Sequence, residues 1–264
     1  MRVDQTDAPW ADDYDSQFGA MEPARLHAIA TLMEPQTCAL LRLLENMQSR
    51  QSAYALRYFV IGLSAWLFVY MMKRSNDVPL LLLDALQGTN PRIRAQSRAS
   101  YARQLDLFSG SYEHMRDSGT AAIDDSDWEA FVSADDAYQM LDDHFRDLGV
   151  RAGLIQPRAP NAKRKHVELQ ADTLRTMVLS LLAPGPPRTL AELSAGLRDV
   201  WCICTGGDAS DGERLQAAGY GPLDRDEDLE PNAAAFRDLL IRLGLAVEPS
   251  DGLTLCAIDA EELL

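Results

Sequence analysis

Cysteine thiols and histidine imidazoles are side chains often used for metal binding and nucleophilic chemistry, so their spacing in the sequence indicates whether such a site is present. Cys202 and Cys204 are separated by one residue, one fewer than in the C-x-x-C motif of zinc sites. The remaining cysteines, Cys38 and Cys256, are isolated in the sequence. The four histidines are spread along the chain at His27, His114, His144 and His166. We expect Cys202 and Cys204 to pack as small buried hydrophobes, with a thiol role as the alternative.

Two pairs of aspartates could suggest a metal site. Asp135 and Asp142, and likewise Asp136 and Asp143, lie seven residues apart and share a face of a predicted helix beside His144. A metal site needs convergent ligands and a supporting second shell, whereas an exposed acidic face is the usual origin of such runs. No P-loop, dinucleotide fingerprint, G-x-S-x-G or H-E-x-x-H motif is present in the sequence. The sequence therefore predicts no metal, no cofactor and no enzymatic activity.

Basic side chains are the other candidates for a functional role, because they form local clusters in an acidic chain. The densest cluster lies on a predicted helix that carries four arginines, and a second lies in a proline-containing stretch. Each is either a solvated surface paired with nearby acids or a contact surface for nucleic acid or an acidic partner. The candidate contact residues are Arg92, Arg94, Arg98, Arg103, Lys163, Arg164, Lys165, Arg237 and Arg242.

The overall charge argues against a dedicated nucleic-acid binder. The 264 residues include 40 Asp and Glu against 25 Lys and Arg, which gives a formal net charge of −15. The long-range field of such a chain repels phosphate unless a local basic patch reverses it. Four cysteines are too few for a disulfide scaffold of this size, and the acidic N-terminus lacks the apolar region of a secretory signal. We expect a cytoplasmic protein.

The most apolar stretch, residues 54–72, is the element that must organise the N-terminal part. Its uncharged run covers residues 58–72, which is short of the roughly 20 apolar residues that a membrane helix needs. A core helix surrounded by other helices fits this length better, and such a helix can be apolar on all sides. We therefore predict a buried helix and no membrane association.

The chain divides into four predicted parts. Residues 1–20 form an acidic mobile leader, and residues 21–150 form a helical domain built on 54–72. Residues 151–166, with two prolines and a basic cluster, form a linker. Residues 167–264 form a C-terminal domain.

Within the N-terminal domain, local signals predict the helices. Asn76 and Asp77 provide an N-cap signal before a leucine-rich run, which predicts a helix up to Gly88. A second helix is expected to begin after Pro91 and to end near Gly110. Residues 111–127 are expected to form a loop, and a further helix follows them.

The C-terminal part resembles a winged-helix module. Helices are predicted near 168–183, 189–200 and 231–243, the second of them with a capping box at Thr189 and Glu192. Gly244 ends the third helix, and two short strands joined by a turn at Asp251-Gly252 follow as a wing. The stretch 201–230 is longer than a helix-turn-helix permits, and its acidic residues 225–230 are predicted to form a loop.

These observations predict a mainly α protein, with a helical N-terminal domain and a C-terminal winged-helix-like domain with a small β-hairpin wing. The predicted function is that of a non-catalytic structural or adaptor subunit of a larger bacterial complex, with other protein subunits as partners. Nucleic acid, if it is contacted, is reached through a partner, because the wing tip is acidic. The alternatives are a direct DNA-binding winged-helix regulator and an enzyme with an unrecognised site.

Overall fold

The computed structural model describes residues 34–46, 55–117, 134–159, 162–182, 187–249 and 253–257. The described residues from Gln36 onward cluster as one compact unit. The described part is mainly helical, which confirms the predicted class. The predicted leader 1–20, the wing turn at 250–252 and the side chains of Asp135 and Asp136 lie outside the described residues.

Among the described residues, every strand except the first lies after residue 150. The helices are α1 (34–46), α2 (Ala55–Ser75), α3 (Pro91–Asp117), α4 (Ala134–Arg151), α5 (Ala171–Leu181), α6 (Leu190–Trp201), α7 (Asp211–Ala217) and α8 (Glu230–Arg242). The strands are β1 (Leu81–Leu82), β2 (Ile155–Gln156), β3 (His166–Val167), β4 (Arg188–Thr189), β5 (Ile203–Cys204), β6 (Ala246–Val247) and β7 (Leu255–Cys256).

Helix α2 is the central element that the sequence predicted, but it is buried on one face only. Phe68, Val69 and Met72 are fully buried, and the Phe68 ring lies 4.6 Å from that of Phe145 on α4. The opposite face is exposed, so the prediction of burial on all sides is wrong. The helices packed on α2, chiefly α3, α4 and α5, do not surround it. Among the described helices, α2 alone has the length and apolarity to cross a membrane, a property that soluble core helices share.

The leucine-rich run before Gly88 is a strand, not the predicted helix. Leu80, Leu81, Leu82 and Leu83 are all buried, and an apolar run buried on both faces suits an interior parallel strand. β1 pairs in parallel with β5, which is distant in sequence. The Asp84 N–H also donates to the Val167 carbonyl at 2.9 Å, which links β1 to the antiparallel β2–β3 pair.

Two further predicted loops are wrong in part. Helix α3 continues through Asp117, into the segment predicted to be a loop from residue 111. Residues Arg225–Leu229 form a π-helical turn that leads directly into α8. This turn begins at Asp224, whose side chain accepts hydrogen bonds from the N–H groups of Asp226 and Glu227. Capping by the aspartate therefore stabilises a turn that composition alone predicts to be a loop.

The C-terminal helices follow the predicted signals closely. Thr189 caps α6, and both hydrogen bonds of the capping box with Glu192 are present. Gly244 adopts a φ of +68° just after α8, as expected for a glycine that ends a helix. After it, β6 and β7 pair antiparallel, and β7 also pairs with β4, so the strand order in this sheet is β4–β7–β6.

One hydrophobic core extends across the predicted linker. The same buried cluster includes Phe68 and Phe145 from the N-terminal part with Val167, Trp201 and Phe236 from the C-terminal part. The described residues of 151–166 contain the end of α4 and the strand β2, and residue 166 begins β3. The division into separable domains stays a prediction that proteolysis can test.

Candidate functional site

Arg94, a predicted contact residue, lies in an internal cluster of charged and polar side chains. Its Nε is 2.5 Å from Oδ2 of the fully buried Asp84, and its Nη2 is 3.9 Å from Glu168 Oε2. Its Nη1 also makes a short contact with Nε2 of the buried His166. The cluster therefore connects the end of β1, the first turns of α3 and strand β3.

The geometry of this cluster favours the charged form of Glu168. His166 Nε2 is 3.0 Å from Glu168 Oε2, and this hydrogen bond, with the nearby guanidinium of Arg94, lowers the pKa of Glu168. Asp84 also accepts a hydrogen bond from the Gly88 N–H through Oδ1. Because Arg94 is only 18% exposed and faces two carboxylates, its charge is directed into the protein.

The other predicted arginines of α3 differ in their surroundings. Arg92 is exposed, and its Nη1 is 3.4 Å from Glu227 Oε2. Arg103 lies against Gly219, where an added Cβ would stand 2.9 Å from the guanidinium carbon. Arg98 lies one turn beyond Arg94 on the same face of the helix, and it is half-buried. The helix therefore does not present a continuous row of free arginines.

The second predicted cluster lies where the chain passes from β2 to β3. Lys163 and Arg164 are exposed. Lys165 is buried, and its ammonium donates hydrogen bonds to the carbonyls of Pro157 and Ala159, both at 3.1 Å. Burial lowers the pKa of Lys165. Lys165 therefore closes the loop, and its two neighbours carry the outward charge.

The predicted contacts on α8 are weakly basic. Arg237 donates to the carboxylate of its neighbour Asp238 at 2.9 Å, and its Nη1 is 3.9 Å from Glu248. Arg242 is exposed near the end of the helix. The inner face of α8 is buried through Phe236 and Leu240. The solvent face of this helix therefore offers little net positive charge.

The cysteines do not form a reactive group. Cys202, Cys204 and Cys256 are buried, and burial raises the pKa of each thiol, to about 12 for Cys202 and Cys256. A thiol with a raised pKa is a poor nucleophile at neutral pH. Within the described ranges, no three His, Cys, Asp or Glu side chains converge to hold a metal ion.

Two buried polar groups were missed by the sequence analysis. The Asn232 amide donates to the carbonyls of Leu83 and Thr205, both at 2.9 Å, and accepts from the Ala85 N–H at 3.0 Å. Arg198 donates to Asp211 at 3.1 Å in a second group that fixes the loop after β5. Neither group has a local sequence signal. The partners of Asn232 are distant in sequence, and the spacing of Arg198 and Asp211 matches no standard motif.

The exposed face of α2 is apolar, and its exposure could not be predicted from the sequence pattern. Leu56, Val60 and Leu63 are 75%, 53% and 38% exposed. Their spacing of four and three residues places them on one side of the helix, and we call them the α2 stripe. Exposed apolar residues scattered singly are normal, but a row on one helix face is typical of an interaction surface.

The charged residues of α2 are all basic. Arg57 is exposed near its start and forms an ion pair with Asp172 on α5. Arg74 is exposed at the other end, where its guanidinium lies 5.8 Å from the centroid of the Tyr70 ring. No Asp or Glu occurs in the helix from Ala55 to Ser75. The helix thus combines an apolar row near its start with an exposed arginine, Arg74, near its end.

Comparison with known proteins adds no relative to this description. No protein-family model matches the chain, and neither a curated protein nor a solved structure is similar to it. The function must therefore be argued from the surfaces themselves.

Proposed function

We propose that this chain is a non-catalytic structural or adaptor subunit of a larger bacterial complex and acts through protein–protein contacts. The observation that carries the proposal is the α2 stripe. An amphipathic helix of a partner can bury such a row through apolar anchors at matching positions. The partner helix that fits has acidic residues beside its apolar face, complementary to Arg74, since Arg57 is already paired with Asp172.

We also infer that residues 167–264 form a winged-helix-like module that serves for protein docking. Support comes from the order of its parts, in which α5, β4, α6 and α8 precede the β6–β7 hairpin and β7 lies between β4 and β6. A winged helix that reads DNA usually inserts its third helix into the major groove. Here that helix is α8, whose Arg237 is paired with acids, so protein docking fits the module better.

The stripe gives the proposal a quantitative test. Burial of one large apolar side chain stabilises an interface by about 1.5–3 kcal/mol. Replacing Val60 and Leu63 with glutamate should therefore cost about 3 kcal/mol or more, which weakens the complex by roughly 100-fold or more. The matched control replaces Val78 and Met140, which are 51% and 65% exposed and lie outside the stripe.

The experiment is a purification of the tagged full-length chain from its native host, with nuclease treatment to remove nucleic-acid bridges. The expected result is a complex of defined subunits that persists in the Val78→Glu/Met140→Glu variant and dissociates in the Val60→Glu/Leu63→Glu variant. Circular dichroism of both variants checks that each is folded. A wild-type chain that is monomeric in the host, or a complex indifferent to both variants, would refute the proposal.

A further inference from the structure

The loop between β2 and β3 is the most strongly basic segment of an acidic chain. Residues 157–165 contain four of the 25 Lys and Arg residues and none of the 40 Asp and Glu residues. Within the described part of the loop, Arg158, Lys163 and Arg164 are exposed. We call these three residues the basic loop. The residues between Arg158 and Ala162 are not part of it.

The loop is held in place by buried contacts, so its charges are presented from a fixed base. Lys165 donates to backbone carbonyls on the opposite arm of the loop, at Pro157 and Ala159. Strand β3 is fixed on α3 by Ser97, whose hydroxyl accepts from the Val167 N–H at 2.9 Å and donates to the Val167 carbonyl. A fixed base reduces the conformational entropy lost when a ligand binds.

Nearby acids are already engaged with other partners. Glu168, the first carboxylate after the loop, contacts His166 and Arg94. Asp147, the last carboxylate before it, is 3.2 Å from Arg151. Arg158 donates a hydrogen bond to the neutral side chain of Gln170. Among the described residues, no carboxylate forms an ion pair with the three cations of the basic loop, so their charges can attract an anion from outside.

We propose that the basic loop binds the phosphate backbone of a nucleic acid. Duplex DNA carries one negative charge per about 1.7 Å of its axis, whereas an extended acidic peptide carries at most one per about 3.3 Å. The denser array suits three cations within a short loop, and guanidinium groups bind phosphate with bidentate hydrogen bonds. The basic loop shares no residue with the α2 stripe, so the two proposals stand independently.

The number of contacts sets the expected affinity. Three phosphate contacts predict that the logarithm of the binding constant changes by about −2.7 per unit of the logarithm of salt concentration. Affinity for duplex should then rise roughly 80-fold when salt falls from about 150 mM to about 30 mM. We expect no measurable binding by the isolated chain at the higher salt, because three contacts are fewer than specific complexes use.

The test is fluorescence anisotropy of a short labelled DNA duplex of random sequence, titrated with the full-length chain at salt concentrations from about 30 mM upward, as far as binding is measurable. The test variant is Lys163→Gln/Arg164→Gln. The control is Arg237→Gln/Arg242→Gln, which changes the net charge equally at another surface. We expect the test variant to reduce the salt slope by about 1.8, from two lost contacts, and the control to leave the slope unchanged.

Several outcomes would overturn the proposal. The wild-type chain could fail to bind duplex at the low salt concentration, or both variants could reduce binding equally, which would indicate only a diffuse charge effect. Equally tight binding of a labelled polyglutamate peptide would show that the ligand is an acidic protein segment instead. The Val60→Glu/Leu63→Glu variant should retain duplex binding, so failure of the adaptor proposal would be seen separately.

Discussion

Replacement of Asn232 with alanine should destabilise the whole chain, because this buried amide connects three segments that are distant in sequence. It bonds the backbone at Leu83 and Ala85, after β1, and at Thr205, after β5. Each bond contributes about 0.5–1.5 kcal/mol, and an unsatisfied buried partner raises the cost of losing it. The higher helix propensity of alanine offsets up to about 0.7 kcal/mol of this loss of stability. The expected loss is about 3 kcal/mol.

Urea unfolding followed by circular dichroism measures this loss. With a slope of about 3 kcal/mol per molar urea, the midpoint should fall by about 1 M. The matched control is Asn76→Ala, since the Asn76 amide also makes three hydrogen bonds but in a partly exposed turn. Water can replace bonds there, so the control should lose less than about 1 kcal/mol. The reasoning is refuted if the two variants are equally stable.

Three further predictions follow from the packing, the charges and the thiols. Phe68→Ala should lower the unfolding free energy by about 3–5 kcal/mol, because the side chain is fully buried. Leu56→Ala on the same helix should change it by less than about 0.5 kcal/mol. Similar losses for the two variants in urea titrations would contradict the one-sided burial of α2. The Ser210 N–H and hydroxyl, and then Arg198, lower the pKa of Asp208 to about 2, so its contribution to stability is present above its unfolded pKa near 4 and is lost as pH falls toward 2. The difference in unfolding free energy between wild type and Asp208→Asn should therefore shrink as pH falls from about 5 to about 2. A difference in urea midpoints that stays constant over this range would argue against the hydrogen bonds of Asp208 with Ser210 and Arg198. Native protein should react rapidly with a thiol reagent only at the exposed Cys38, and rapid modification of the three buried thiols would show that the core is open.

The parts of the fold that local signals determine were predicted from the sequence. The capping box at Thr189 and the glycine after α8 act through bonds and backbone angles within a few residues, so the sequence shows them directly. The mainly α class and the central helix α2 follow from periodicity and length. These features need no information about the rest of the chain.

The errors occurred where distant contacts decide the structure. The leucine run at β1 has the N-cap signals of a helix, but pairing with Ile203 and Cys204 makes it a strand. Short apolar runs are ambiguous between helix and strand, and only the partner resolves the choice.

The candidate sites show the same limit. Arg94 is drawn inward by Asp84 and His166, partners that no local pattern identifies. The exposure of Leu56 and Val60 likewise depends on which side of α2 the other helices cover. Charge clusters can be found in a sequence, whereas their accessibility requires the packing.

Site-specific photocrosslinking in the native host tests the adaptor proposal most directly. A photoreactive phenylalanine analogue at Val60 samples the α2 stripe, and the same analogue at Met140 samples another exposed apolar position. We expect the Val60 position to crosslink to one protein that also co-purifies with the wild-type chain, and we expect no such crosslink from the Met140 position. Crosslinks from Val60 to lipid alone, or equal crosslinking from both positions, would contradict the adaptor proposal.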